Sequence, residues 1–195
     1  MILSGLGNII FHPFLRIFRI YTKNKIISFI NNCFLYIFRI QPHSKTRERQ
    51  LSTWADLVQN YQKYRNQALI NITEETPLFY NESIKRKLPL DGIILVLEEL
   101  SKIGHSSPVD KNKTQWEIYW HTLDEWGNII YDWATENGMT NTVCTIFELI
   151  EGENSVGQEF HGLDQSVIIK ALKILEDKGK CELMLFDDSE GVKFF

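Results

Sequence analysis

An order of elements that occurs twice, about 75 residues apart, constrains the fold more than any other feature of the sequence. In each copy, an amphipathic helix precedes a short extended segment, a brief second helix, a third helix that ends at a glycine, and a two-stranded hairpin. The third helices also match in sequence, since Leu97 and Gly104 stand 75 positions before Leu172 and Gly179. This repeat predicts two similar compact domains.

The first copy is predicted to occupy residues 44–122. Trp54 and Val58 recur at helical spacing in its first helix, and Pro89 is placed to stop its short second helix. The predicted elements, in order, are a helix over residues 44–67, an extended segment at Thr76–Phe79, a helix at Asn81–Lys87 capped by Asn81, a helix at Leu90–Ile103, and a hairpin from Val109 to Trp120 with its turn at Asp110–Lys113.

The second copy is predicted to occupy residues 123–195. Two capping boxes mark helix starts, one opened by Thr122 and the other by Thr145, each with a glutamate three residues later. The predicted elements, in order, are a helix ended by Gly138, an extended piece at Val143–Cys144, a short helix to Ile150, a polar loop over Gly152–Gly162, a helix capped by Asp164 and ended by Gly179, and a hairpin of Lys180–Phe186 with Gly191–Phe195.

Helix, strand, two helices and a two-stranded wing form the order of a winged helix. The fold class predicted is therefore α+β, mostly α, with two tandem winged-helix domains behind an N-terminal arm. The predicted boundaries are 1–43 for the arm, 44–122 for the first winged helix and 123–195 for the second. A chain of 195 residues is long enough for two domains of about 70 to 80 residues.

The arm differs from both copies in composition. Residues 1–43 hold five lysines and arginines, no acidic residue and many bulky apolar side chains. The uncharged run at residues 26–38 is shorter than the roughly 20 residues that a transmembrane helix needs. Within the arm, Phe11-His-Pro13-Phe14-Leu15 pairs aromatic side chains with a proline, which suits docking into a groove of a partner. An ordinary loop end explains the same residues, and both interpretations stay open.

The charge distribution opposes duplex DNA as the ligand. Residues 1–122 carry a balance of +6, whereas residues 123–195 carry −10. In the first repeat, the polar positions of the third helix are net acidic. In the second repeat, the polar positions of the corresponding helix are near neutral, and the wing holds Asp187, Asp188 and Glu190. A recognition helix normally presents cationic and amide side chains. The pattern favours contacts with proteins, and a tandem winged-helix nucleic-acid-binding or transcription-regulating protein is the alternative hypothesis.

Motifs for catalysis or metal binding are weak. The cysteines at 33, 144 and 181 form no Cys-x-x-Cys pair, which indicates a reducing compartment and neither a disulfide framework nor a zinc site. His161 and Cys181 form no catalytic set, because no third residue or oxyanion loop accompanies them. The glutamates and histidine in and beside the loop at residues 152–162 fit a solvated loop better than a metal site. We therefore expect no enzymatic activity, no cofactor and no metal.

Short segments spread over residues 41–195 together resemble one known family. They are Gln41-Pro42, Thr46-Arg47, Gln50-Leu51, Trp54, Glu75-Thr-Pro-Leu-Phe79, Arg86-Lys-Leu-Pro89, Val96-Leu-Glu-Glu-Leu100, Glu125-Trp-Gly127, Phe160-His-Gly-Leu-Asp164 and Gly191-Val-Lys-Phe-Phe195. In this order they resemble the smallest subunits of the endosomal sorting complex ESCRT-II, vacuolar-protein-sorting proteins with two winged helices behind a Pro-Phe-rich arm.

The resemblance implies a non-enzymatic adaptor. Members of the family assemble in two copies with two larger winged-helix subunits, which the arm and the first winged helix dock. The second winged helix recruits and activates the first ESCRT-III subunit, and the assembly sorts ubiquitinated membrane cargo into multivesicular bodies. The location implied is cytoplasmic and peripheral on endosomal membranes, with indirect membrane contact, no direct nucleic acid, and a nuclear pool linked in animals to transcription elongation. The docking residues implied here are Phe11, Pro13, Phe14, Leu15, Gln41 and Pro42.

The chain departs from the family in front of Gln41. In the family, the arm runs almost directly into Gln-Pro. Here residues 16–39 separate the arm motif, which ends at Leu15, from Ile40-Gln41-Pro42. In addition, His12 stands where the family pattern has its first proline. An element added in this protein and a translated intron both explain the extra segment. A third hypothesis takes the first forty residues, which are basic and free of acidic side chains, as a mitochondrial presequence. The low number of serines and the helix break at Pro13 argue against it.

Overall fold

The computed structural model describes residues 38–81, 85–186 and 189–195. Phe11, Pro13, Phe14 and Leu15, the arm residues predicted to dock a partner, lie outside these ranges. The turn of the second wing at Asp187 and Asp188 also lies outside them. Gln41 and Pro42 are described.

The first repeat forms a winged domain in which a β-hairpin stands where a second helix was expected. Its elements are α1 (Ser44–Arg65), β1 (Leu69–Asn71), β2 (Tyr80–Asn81), β3 (Arg86–Lys87), α2 (Leu90–Lys102), β4 (Ser106–Pro108) and β5 (Gln115–Ile118). The strands β1, β5 and β4 form an antiparallel sheet in that order, and β2 pairs with β3.

Two predictions for this domain are wrong. The extended segment between the first helices lies at Leu69–Asn71, whereas residues 77–79, within the stretch predicted to be extended, form a turn. Residues 81 and 85–87, which were predicted to be helical, belong to the β2–β3 hairpin instead, and Lys85 has a φ of 49°. A seven-residue helix gains little by itself in water. The hairpin instead closes through the Leu88 amide, which donates to the Phe79 carbonyl oxygen at 2.9 Å, and it buries both side chains.

The second repeat follows the predicted order throughout the described residues. Its elements are α3 (Leu123–Glu136), β6 (Val143–Thr145), α4 (Ile146–Glu151), a 3₁₀ turn (Glu153–Ser155), α5 (Gln165–Asp177), β7 (Cys181–Phe186) and β8 (Ser189–Phe194). The strands form an antiparallel sheet in the order β6-β8-β7. Both capping boxes are present in full, at Thr122 with Glu125 and at Thr145 with Glu148. Local hydrogen bonds therefore fix where these two helices begin.

The helices that were predicted to be third in each repeat, α2 and α5, end in the same way. Gly104 has a φ of 79° and Gly179 a φ of 69°, and each follows its helix by two residues. This left-handed conformation favours glycine because a side chain would clash with the backbone. The repeated glycine therefore ends each third helix at the same place in both domains.

Each domain has its own apolar core. Trp54, Leu97 and Trp116 centre the first, whereas Trp126, Phe160 and Leu172 belong to the second. The aromatic side chains that were predicted to be structural, Trp54, Trp126 and Trp133, are all buried. Gly127 lets α3 approach α5 closely, since a Cβ there would lie 3.0 Å from Leu175 Cγ. Among the described helices, none combines the length and apolar composition that a bilayer crossing requires.

Candidate partner-binding surfaces

The end of the arm is anchored in the first domain by Phe38. This side chain is only 5% exposed, and its ring meets that of Trp54 edge-on with centroids 5.9 Å apart. Ile40 packs against the same core. The body of the first domain therefore takes in residues in front of α1 that composition alone assigns to the arm.

Gln41 and Pro42 lie against the first turns of α1. The Gln41 amide donates to Gln50 Oε1 at 3.0 Å, and Gln50 Nε2 donates back to the Arg39 carbonyl at 2.9 Å. Arg47 Nη2 donates to the Pro42 carbonyl at 2.8 Å. These bonds tie residues 39–42 to the first turns of α1, so the direction in which the chain enters α1 is fixed.

The two domains contact each other through polar groups at the end of α1. Asn66 ends α1 in the left-handed conformation, and its side-chain amide donates to the carbonyls of His161 at 3.2 Å and Gly162 at 3.3 Å. Next to it, the Ala68 amide donates to Asp164 Oδ2 at 2.7 Å. Asp164 stands at the N-cap of α5 as predicted, but its carboxylate bonds the other domain instead of its own helix.

An ion-pair cluster continues this contact. Glu159 accepts from Lys63 of α1, and its other oxygen lies 2.6 Å from Nε2 of His121 in the segment that joins the domains. Desolvation acts to raise the pKa of Glu159, but the hydrogen bonds from Lys63 and His121 outweigh it and hold that pKa below its ordinary value. Glu159, in the loop that was predicted to be solvated, thus bonds both Lys63 and His121.

Glu117 is the most deeply buried charged group of the contact. It is 5% exposed and lies on β5, where Tyr119 Oη donates to Oε2 at 2.5 Å. From α5 of the other domain, Ser166 Oγ donates to Oε1 at 3.0 Å, and Lys170 Nζ donates to Oε2. Desolvation acts to raise the pKa of Glu117, but these three donors outweigh it and the pKa lies below its ordinary value. Burial, and then the bond to Glu117, raise the pKa of Tyr119.

Sequence reasoning missed the role of Glu117. Strand alternation sends Trp116 and Ile118 into the first core, so Glu117 points to the opposite face of the sheet. In an isolated first domain, that face of the sheet would be exposed to solvent. The only signal in the sequence was the match in type between this carboxylate and cations on the third helix of the other domain.

The third helices offer little positive charge to a phosphate backbone. On α2, Glu98 pairs with Lys113 at 2.6 Å and Glu99 pairs with Lys102 at 2.8 Å, while Asp91 is exposed in the first turn. On α5, Lys170 is committed to Glu117. A nucleic-acid ligand would need these cations on an outward face. The geometry therefore disfavours the nucleic-acid alternative.

The second domain exposes an aromatic side chain at the start of α4. Phe147 is 72% exposed, and Val143, four residues earlier on the edge strand β6, is 61% exposed. Ile146 and Leu149 of this six-residue helix pack into the second core, which leaves Phe147 on its outer side. Among the described residues, Phe147 is the most exposed large apolar side chain, which makes it a candidate for contact with a partner.

The residues considered for catalysis do not form a site. His161 Nδ1 lies 2.8 Å from Ser155 Oγ, whereas the Cys181 thiol bonds the Leu172 carbonyl. Desolvation raises the pKa of the Cys144 and Cys181 thiols to about 11, so neither is a ready thiolate. Within the described residues, no three histidine, cysteine or acidic side chains come together as a metal site requires.

Two wing-bearing domains in tandem, joined by a polar contact, define a tandem winged-helix protein. A family model described as "ESCRT-II complex subunit" matches residues 34–164. The match begins just before Phe38 and excludes Phe11, Pro13, Phe14 and Leu15. This chain belongs to the ESCRT-II subunit family.

Two similar proteins share the name vacuolar protein-sorting-associated protein 25. Vacuolar protein-sorting-associated protein 25 of Drosophila melanogaster is 45% identical over 159 residues, which cover 81% of this chain and 91% of that protein. Its Homo sapiens counterpart is 41% identical over 160 residues, again 81% of this chain and 91% of the relative.

Solved structures agree with the fold. The crystal structure of subunit VPS25 of the endosomal trafficking complex ESCRT-II matches with a TM-score of 0.72 and 28% identity over 80% of this chain and 93% of that one. In the crystal structure of endosomal complex ESCRT-II (VPS22/VPS25/VPS36), the match has a TM-score of 0.73 and 28% identity over 83% and 95% of the two chains. The predicted tandem winged-helix fold and the predicted family are both confirmed.

Proposed function

We propose that this chain is a non-enzymatic adaptor that links the larger ESCRT-II subunits to ESCRT-III. In this role it takes part in sorting ubiquitinated membrane cargo into multivesicular bodies. It acts in the cytoplasm, peripherally on endosomal membranes, without a cofactor and without direct contact to nucleic acid. The larger subunits are the counterparts of VPS22 and VPS36, which are named in the similar solved complex.

The proposal that this chain docks the larger ESCRT-II subunits rests on the anchoring of Phe38 in the first core. Because residues 38–42 are fixed on α1, the chain in front of them starts from the first winged helix. We infer that Phe11 and Phe14, which precede this anchor in the sequence, dock a groove of a partner that also contacts this domain. Phe11, Pro13, Phe14 and Leu15, followed by Gln41 and Pro42, are the residues proposed to dock the larger subunits.

The exposed side chains of Val143 and Phe147 support the proposed contact with ESCRT-III. They lie on the second domain, at the outer side of α4, and neither residue belongs to the core of either domain. We assign this pair to the contact with the first ESCRT-III subunit.

Two variants of the full chain, tested against both partners, separate the two proposed contacts. Changing Phe11 and Phe14 together to alanine should weaken binding of the larger subunits at least tenfold. Each buried aromatic contributes about 1.5–3 kcal/mol, and a tenfold change needs only about 1.4 kcal/mol. Changing Phe147 to serine should leave that binding unaltered and weaken binding of the first ESCRT-III subunit. Isothermal titration with purified partners measures both.

Each variant is the control for the other. If the Phe11/Phe14 variant binds the larger subunits as tightly as the unaltered chain, the arm assignment is wrong. If the Phe147 variant retains full ESCRT-III binding, the surface on α4 is wrong while the adaptor role stands. If the unaltered chain binds neither partner, the adaptor role itself is refuted.

A further inference from the structure

The face of the first sheet that points away from its own core is covered by the second domain. Glu117 lies on that face with its side chain 6% exposed. A carboxylate removed from water is costly unless hydrogen-bond donors replace the water. Its position can therefore persist only while its partners stay in place.

Two of its three donors come from the other domain. Tyr119 is a neighbour on the same chain segment, but Ser166 and Lys170 stand on α5, one turn apart. Moving α5 away would leave Glu117 buried with Tyr119 alone or expose it to water. The first outcome opposes rotation of the domains about the segment that joins them, because the carboxylate would stay out of water with a single donor.

A second group of contacts lies at the N-terminal end of α5. The Ala68 amide is bonded to Asp164, and Asn66 reaches the two carbonyls just before it. Ala68 and Tyr119 are also counted among the buried residues of the second core, although both precede its first helix. The contact thus has two separate polar anchors and an apolar part, which a flexible hinge would not maintain.

We propose that the two winged helices form one rigid body, whose relative orientation is set by the clamp of Ser166 and Lys170 on Glu117. This goes beyond the adaptor role and does not depend on it. A consequence is that the third helix of the second domain uses part of its polar face as an internal docking surface. Ligands of this domain must bind elsewhere on it.

The Ala68 amide reports on opening of the contact, because its hydrogen-bond acceptor lies in the other domain. Hydrogen exchange of this amide, followed by NMR on the full chain, measures how often the domains separate. Changing Lys170 to methionine keeps the length of the side chain and removes the charge that pairs with Glu117. We expect Ala68 exchange to accelerate at least about tenfold, which corresponds to about 1.4 kcal/mol of opening free energy.

Lys178 provides a matched control. Its side chain is 42% exposed, as is that of Lys170, but its partner Asp124 is 52% exposed and belongs to the same domain. Lys178→Met should leave Ala68 exchange unchanged. The amides of Leu88 and Gly162, which bond within the first and second domains respectively, should keep their rates in both variants.

The clamp is refuted if Ala68 exchanges at the same rate in Lys170→Met and Lys178→Met. It is also refuted if residual dipolar couplings of the unaltered chain require different alignment tensors for the two domains. Should Leu88 or Gly162 exchange faster in Lys170→Met, that variant has destabilised a domain. In that case Glu117→Gln, which keeps the size of the side chain, decides the matter by the same comparison.

Discussion

Replacing Phe38 with alanine tests whether the folded unit begins in front of α1. The sequence pattern predicts a unit starting at Ser44, whereas the packing of Phe38 and Ile40 extends that unit at least as far as Phe38. Removing a buried phenylalanine costs about 3–5 kcal/mol in other cores, from lost burial and the cavity that remains. At 5% exposure and in edge-on contact with Trp54, Phe38 meets the conditions for that range.

The expected effect is a large drop in thermal stability. For a cooperative unit of this length, about 1 kcal/mol shifts Tm by about 2–4 °C, so Phe38→Ala should lower Tm by about 6–20 °C. Tryptophan fluorescence suits the assay because Trp54 is in direct contact with the altered site. Phe147→Ala is the control, since it removes the same side chain from a position that is 72% exposed and should change stability by less than about 0.5 kcal/mol.

Two shortened chains sharpen the test. A chain without residues 1–37 keeps Phe38 and Ile40 and should melt close to the full chain. A chain without residues 1–43 loses both, together with the Gln41 amide bond to Gln50, and should melt at least as low as Phe38→Ala. If the two shortened chains melt at the same temperature, Phe38 is not part of the core and the reasoning fails.

Two further predictions concern single groups. Gly152→Ala should destabilise the second domain by about 1–3 kcal/mol in urea unfolding, because its Cβ would lie 2.2 Å from the Glu148 carbonyl oxygen; an unchanged midpoint would contradict this. The pKa of Glu117 is lower in the folded chain than the ordinary 4.5, so its stabilisation is complete above pH 4.5 and is lost as the pH falls through the folded pKa. Glu117→Gln should therefore reduce the loss of stability on acidification, and an identical pH profile would count against the assignment.

Local signals in the sequence were sufficient for most of the second domain. The capping boxes at Thr122 and Thr145 each name both hydrogen-bond partners within four residues, so no distant contact is needed to place those helix starts. Gly104 and Gly179 likewise mark helix ends by a local property, since each adopts a positive φ just after its helix. Features whose cause lies within one turn of chain were predicted correctly.

The hairpin β2–β3 shows why the first domain was harder. Its residues carry no turn pair of the Asn-Gly kind, and an asparagine before a charged run reads as a helix cap. The outcome depends on burial of Leu78, Phe79 and Leu88 against the first core, which is a tertiary contact. Packing overrode the local preference there.

The candidate site divides in the same way. The capping box at Thr145 was read from the sequence and fixes where α4 begins, but Phe147 was not singled out; its exposure follows from the packing of Ile146 and Leu149 into the second core. Burial of Phe38 and Glu117 depends on partners 16 and 53 positions away, at Trp54 and Lys170. No periodicity within a window of chain contains those partners, so sequence reasoning left the first in the arm and did not single out the second.

The charge of the third helices is where the sequence and the structure combine to limit function. Counting residues already leaves α2 acidic and α5 near neutral, but a count treats every lysine as available. The structure shows Lys102 and Lys113 paired with glutamates of α2, and Lys170 turned to Glu117 of the other domain. These three lysines therefore have carboxylate neighbours. A polyanion would have to displace those carboxylates, whereas an apolar protein segment meeting Phe147 would displace only water.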